Sequence, residues 1–336
     1  MWLLAVSYGL GQVGAQLETQ LPAEERKAWE RIGRSIATIE SGGFATGTAV
    51  LLDSSGTFLA HRSVLMANRV SGKLRSGETV TLRLIFTDEP TQLSLLQADR
   101  WNQPNMVPVV VTDGKALLGR PMLAALPTGL IRGEFVSMDR AGVVRPSLRY
   151  VPLSEIRFET PDQRFGGSMV FSYDGKLTGV LGASLELMQQ GGSAANLSRQ
   201  LSNTESSLRD RTALPNQKFG PGTMTIGYSV GPEILARVVE GFRSPSHRPI
   251  HPSIGCFFRD ANGEGALIEA VLPNSPSAKG GMRVGDVIVK ANDTPIGGPT
   301  DLAVFLFRQK PGSTISLTAR RGQTSSILTI VVGRAE

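Results

Sequence analysis

The chain has a single cysteine, Cys256, and only three histidines among its 336 residues. A lone thiol excludes an internal disulfide and any metal site built from several cysteines. Aromatic residues make up just 6%, while glycine (38) and proline (20) are plentiful. A helical bundle tolerates that much glycine poorly, whereas a protein of short strands and frequent turns uses it. Clustered positive charge is also absent. The net charge is +6, but the lysines and arginines are scattered, and the tightest groups are pairs such as Arg320-Arg321. A nucleic-acid surface needs a basic face, so no nucleic-acid partner is expected. No glycine-rich turn leads into a helix and no metal-ligand spacing occurs, so neither a cofactor nor a metal is expected. The apolar start, MWLLAVSYGLGQV, is too short to span a bilayer as a helix. It runs into Gly14 and Ala15 like the end of a secretory signal lacking its basic leader. Residues 1–20 are therefore expected to be a signal or N-terminal segment, and the protein to be exported, periplasmic or extracytoplasmic.

What is present is a long series of turns and short apolar runs. From Leu21 to Ile39 the pattern reads as a helix, with acidic residues first, basic ones later, and Trp29, Ile32, Ile36 and Ile39 at helical spacing. Short alternating runs then follow at regular intervals, among them GTAVLLDSSGTFLAH, ETVTLRLIFTDEP, RPMLAALPTG, SMVFSYDG and KLTGVLGAS. This pattern predicts a β-barrel or β-sandwich domain over residues 21–243. Residues 185–222 are polar and read as an insertion on the surface. Order resumes with the strand MTIGYSV and a helix whose buried face is Ile234, Leu235, Val238, Val239 and Phe242. The proline-rich SPSHRPIHPS, residues 244–253, reads as a stiff linker and domain boundary. Residues 254–336 form a separate α+β unit, with a short helix at 275–280 and a second helix capped by Thr300 and ended by Lys310-Pro311-Gly312.

That last unit, through NSPSAKGGMRVGDVIVKANDTPI and DLAVFLFRQKPGSTISLTARRG, closely resembles the PDZ domain of the HtrA/Deg family of trypsin-like serine proteases. The resemblance implies that a partner's C-terminus, or an unfolded peptide, adds as a strand to one sheet edge, its carboxylate held by backbone N–H groups. Ile254, Gly255, Cys256 and Phe257 are the residues it points to. Residues 40–243 are similar to the family's protease domain, a chymotrypsin/trypsin-like double β-barrel. Three anchors carry that likeness. GTAVLLDSSGTFLAHRSVL places the family's histidine position at Ser63, PTQLSLLQAD places the aspartate position at Gln92, and RFGGSMVFSYDGKLTGV places the serine position at Phe165. The separations of 29 and 73 residues are close to those of the family. The resemblance also implies trimer formation, for which the helix bearing Trp29 and Ile32 is the candidate. It places the polar insertion where active members shape their specificity pocket.

Acyl transfer by a serine needs an imidazole to take the hydroxyl proton and a carboxylate to orient and balance the imidazole. Phe165 has no nucleophilic atom, Ser63 is no base, and Gln92 cannot balance an imidazolium. Losing a nucleophile or base alone costs on the order of 10⁶ in turnover. Gln163 and Arg164 replace the residues before the serine position and remove a glycine that would help aim oxyanion-binding N–H groups. The expectation is a degenerate, catalytically inactive pseudoprotease that binds peptides or proteins as a scaffold or regulator, including a regulator of active HtrA-type proteases. The competing expectation is an active serine endopeptidase using His61, Asp88 and Ser168. That requires register slips of two, four and three residues, and odd slips turn a strand residue to the opposite face.

Overall fold

The computed structural model describes residues 22–112, 117–127, 129–144, 149–158, 166–182, 185–187 and 225–335. The chain enters through helix α1 (Ala23–Ile32), with Glu24 and Glu25 in its first turn and Arg31 in its last. The helix is shorter than its apolar spacing predicts. It stops at Gly33, and Ile36 and Ile39 lie instead on the first strand. Three-residue spacing can serve either element, and here burial in a sheet decides it. Ile32 is spent on this chain's own core, and Trp29 packs beneath the Arg75 guanidinium.

Six strands close the first barrel: β1 (Ile36–Ser41), β2 (Phe44–Leu51), β3 (Thr57–His61), β4 (Arg69–Leu74), β5 (Thr79–Asp88) and β6 (Leu93–Ala98). The ring runs β1-β2-β3-β6-β5-β4 and closes between β4 and β1. The second ring comprises β7 (Pro121–Leu126), β8 (Gly129–Val144), β9 (Arg149–Phe158), β10 (Met169–Ser172) and β11 (Leu177–Leu181), with β12 (Leu185–Leu187) extending β8 and β13 (Thr225–Val230) completing the ring. β12 takes the first three residues of the stretch expected as an insertion. The rest of that stretch, residues 188–222, lies outside the described residues.

Strand alternation sorts apolar side chains into separate cores. Phe58, Ala60 and Leu82 fill the first barrel, and Phe135, Phe158 and Val170 fill the second. Their neighbours Leu59, Leu93, Leu95, Leu123, Met169 and Phe171 point outward into a shared core between the barrels. Helix α2 (Pro232–Arg243) covers that core with Ile234, Leu235, Val238, Val239 and Phe242, the face its periodicity predicts. From its last turn, Arg243 donates to the Leu52 carbonyl at 2.7 Å.

After α2 the proline-rich segment does not hang free. Arg248 lies over the Phe86 ring, and Gly241 leaves the room that Pro249 occupies. The chain enters its last unit at β14 (Pro252–Ser253), which pairs with the distant β21 (Gly333–Arg334). Between them come β15 (Cys256–Asp260), β16 (Ala266–Val271), helix α3 (Pro276–Lys279), β17 (Val287–Ala291), β18 (Thr294–Pro295), helix α4 (Pro299–Arg308), β19 (Thr314–Arg321) and β20 (Thr324–Val331). The main sheet has the order β15-β16-β17-β19-β20. Ser275 caps α3 by accepting from the Ala278 N–H. α4 begins two residues earlier than expected: Gly298, not Thr300, stands at its cap, and Pro299 opens it, since proline suits the first helical position. Asp286, fully buried, takes two bonds from Arg321 at 2.7 and 2.8 Å and one from the Arg283 N–H. Burial pushes its carboxyl pKa up, but these partners outweigh that and hold it below the usual range.

Thr48, on β2, joins the two barrels. Its hydroxyl donates to the Ala125 carbonyl at 3.0 Å and accepts from the Met169 N–H at 3.2 Å, and the residue is fully buried. Thr48→Val keeps the volume and removes two buried hydrogen bonds between the barrels, so a loss of about 2 kcal/mol is expected in urea unfolding. An unchanged midpoint would refute this role.

Candidate active site and peptide edge

The β3 strand ends at His61, and a single 3-10 turn, Arg62–Val64, follows it. The turn carries Ser63 on the surface at the seam between the barrels. It is shaped locally: the Ser63 N–H donates to His61 Nδ1 at 3.3 Å, so this nitrogen accepts and the ring proton sits on Nε2. The Ser63 hydroxyl lies 2.7 Å from the same Nδ1. Across the seam stands Gly167, whose φ of +76° suits glycine. A Cβ there would lie 1.9 Å from Val64 Cγ1 and 3.7 Å from the Ser63 hydroxyl oxygen. Thr48 N–H donates to the Gly167 carbonyl. The loop carrying the glycine pair therefore reaches the turn carrying Ser63. Gln92 also comes close through its backbone: its carbonyl accepts from the Arg62 N–H at 2.7 Å. Its side chain, however, folds onto its own turn and donates to the Glu89 carbonyl, with φ at +57°. Phe165, with Gln163 and Arg164, lies outside the described residues.

The structure does not assemble His61, Asp88 and Ser168. His61 and Asp88 both face Leu93, one from each neighbouring strand, so a leucine separates them. Asp88 is buried and engaged elsewhere: Thr91 holds one oxygen at 2.5 Å and His251 Nε2 holds the other at 2.6 Å. Ser168 is buried just ahead of β10, and strand alternation groups it with Val170, which fills the second barrel. His61 itself is 0% exposed, and among the described residues its Nε2 has no hydrogen-bond partner. Burial without a carboxylate pushes its pKa down to about 4. The His61 and Ser63 pair thus has the spacing of a base and a nucleophile. Among the described residues no carboxylate hydrogen-bonds to His61, and burial leaves its imidazole neutral near pH 7.

His251 is the residue the sequence pattern concealed. It lies in the stretch that reads as a stiff linker, yet it is buried against Asp88 and the Phe307 ring, 5.2 Å between centroids. A proline-rich stretch carries no periodicity from which burial can be read; only the fold brings it to Asp88.

In the last unit, β15 ends the sheet, and among the described residues its outer edge has no strand partner. Helix α4 lies beside it. Cys256 and Phe258 from β15 and Phe305 from α4 are half-buried together on the margin of the core. At the head of β15, Ile254 is anchored in that core at 2% exposure. Gly255 has φ +70°, and a Cβ there would meet Ser275 at 2.4 Å. Phe257 stands 60% exposed on the strand. Burial pushes the Cys256 thiol up to about 11, against the opposing hydrogen bond with Ser277, so it stays protonated and unreactive at neutral pH. Of the four residues expected at the edge, Gly255, Cys256 and Phe257 line its start, while Ile254 holds the loop in place.

Together these features define a trypsin-like double barrel followed by a PDZ domain. A PDZ domain family model matches residues 252–332. A probable periplasmic serine endoprotease, DegP-like, from Pseudomonas putida F1 is 25% identical over 291 residues, covering 85% of this chain and 56% of that protein. The periplasmic pH-dependent serine endoprotease DegQ of Escherichia coli K12 is 22% identical over 279 residues, covering 81% and 55%. Among solved structures, the HtrA-type protease AlgW with decapeptide aligns with TM-score 0.59 at 16% identity, over 92% of this chain and 98% of that one. The serine endoprotease from Yersinia pestis aligns with TM-score 0.56 at 16% identity, over 94% and 100%. The chain is similar to HtrA-type proteases over most of its length, and it spans a little over half the length of these curated relatives.

The buried His61 gives the fold a pH signature. Its folded pKa of about 4 lies below the ordinary 6.5, so the unfolded chain binds the extra proton. Its contribution is complete above about 6.5 and is lost as pH falls toward 4, a total of about 3 kcal/mol. His61→Gln should flatten the slope of unfolding free energy against pH in that window. Equal slopes in the two proteins would refute it.

Proposed function

We propose that this chain is a pseudoprotease of the HtrA family that acts by binding, capturing the C-termini of exported or unfolded proteins on its PDZ edge. The observations that carry this reading are the open β15 edge beside α4 with Ile254 and Gly255 at its head, and the seam where Ser63 meets Gly167 with no usable base or carboxylate among the described residues. Ser63, Gln92 and Phe165 are assigned to the positions of the lost histidine, aspartate and serine. The approach of the Ser63 turn to Gly167 and of the Gln92 backbone to Arg62 supports the register. The names of the relatives, several of them periplasmic, support a periplasmic site of action. There the chain serves as a scaffold or as a regulator of active relatives.

Two measurements test the reading. A peptide presenting a free C-terminal carboxylate should bind in a fluorescence titration, and amidation of that carboxylate should weaken it about tenfold or more, since a charge-assisted bond to backbone N–H groups is lost. A C-terminal peptide library with no binder tighter than millimolar would sink the proposal. Separately, the purified protein should leave unfolded casein intact. Cleavage that disappears in Ser168→Ala or His61→Ala would establish the enzyme reading instead.

A further inference from the structure

We infer that the PDZ domain is held against the barrels by a charge-sensitive lock whose bolt is the buried His251–Asp88 pair. Five contacts meet at this junction. His251 Nε2 lies 2.6 Å from Asp88 Oδ1, tying the end of the connecting segment to the end of β5. The backbone of the same residue is held from the other side: its carbonyl accepts from the Ala335 N–H at 2.8 Å, beside the β14 and β21 pair. His251 is therefore pinned to the barrel by its side chain and to the PDZ domain by its main chain. Next to it, Phe307 of α4 inserts into the core shared by the two barrels. Arg237 of α2 covers the Phe307 ring and donates to the Phe307 and Gln309 carbonyls at 2.7 and 3.0 Å, satisfying acceptors that the end of a helix leaves open. Arg308 donates to the Met138 carbonyl of β8 at 2.7 Å.

The apolar and backbone contacts make docking favourable; the ionisable pair makes it conditional. Asp88 is 3% exposed, and with His251 removed its carboxylate keeps, among the described residues, the two bonds from Thr91 and the attraction of the Arg237 guanidinium. A buried carboxylate that loses an ionisable hydrogen-bond partner is destabilised. The accessible remedy is hydration, reached by lifting the connecting segment and the PDZ domain off β5. Docking therefore depends on whether the Asp88 carboxylate keeps a hydrogen-bond donor at position 251, beyond how well the surfaces fit. The same helix, α4, flanks the β15 edge, so one helix answers both to the edge and to the lock.

The test uses the full chain with Cys256→Ser, carrying spin labels at Ser76→Cys on the first barrel and Gln323→Cys on the PDZ domain. The distance distribution of this parent is expected to be single and narrow. His251→Leu should shift the docked-to-undocked ratio on the order of 100-fold toward a broad distribution. The double variant His251→Leu/Asp88→Leu, which removes the charge and keeps the space filled, should restore the narrow one. A broad distribution in the parent overturns the lock. So does a narrow one in His251→Leu. If both leucine variants are broad, packing alone controls docking and the charge-sensitive lock is overturned. Should His251→Leu not fold, His251→Gln, which retains a donor, must remain narrow while His251→Ala broadens, or the proposal fails.

Discussion

Everything else in the molecule is arranged around a core that belongs to neither barrel. Each barrel fills its own interior, but the residues alternating outward from β3, β6, β7 and β10 need a common cover. They supply it to one another, with α2 laid over the gap and the Thr48 hydroxyl serving the backbone of both partners in the second barrel. Because Thr48 lies beside the seam where Ser63 and Gly167 meet, the same contact that joins the barrels fixes the site. A trypsin-like cleft exists wherever two barrels are held in this way, whether or not chemistry survives in it.

That separation explains why the fold was more legible than the site. The alternation in TVTLRLIFTD, the DG turn before β11 and the apolar face of α2 each express a local rule, and the structure follows them. Errors arose where one pattern served two elements, as with Ile36 and Ile39, or where proline began a helix one residue before the expected cap. Ser63 could be placed from spacing because β3 leads straight into its turn. The partnership of Asp88 with His251 could not, since 163 residues and a domain boundary lie between them and neither flanking stretch hints at the other.

The polar groups near the seam are turned toward the protein itself. A reactive site keeps unsatisfied or strained groups aimed at a substrate; here Asp88 and Gln92 have turned to neighbours of their own, and His61 is neutral inside the protein. The side chains of Asp88 and Gln92 are thus committed to the protein's own structure, while among the described residues the outer edge of β15 has no strand partner.

Phe307 belongs to the PDZ domain by sequence and to the barrels by packing. The usual experiment on a modular protein is to delete one module and attribute what is lost to its ligand. In this chain such a truncation would open a hole in the barrels' core and strip Asp88 of its partner, so the remaining piece would report damage to its own interior. The PDZ match begins at residue 252, while the packing of Phe307 and the bond between His251 and Asp88 cross that boundary.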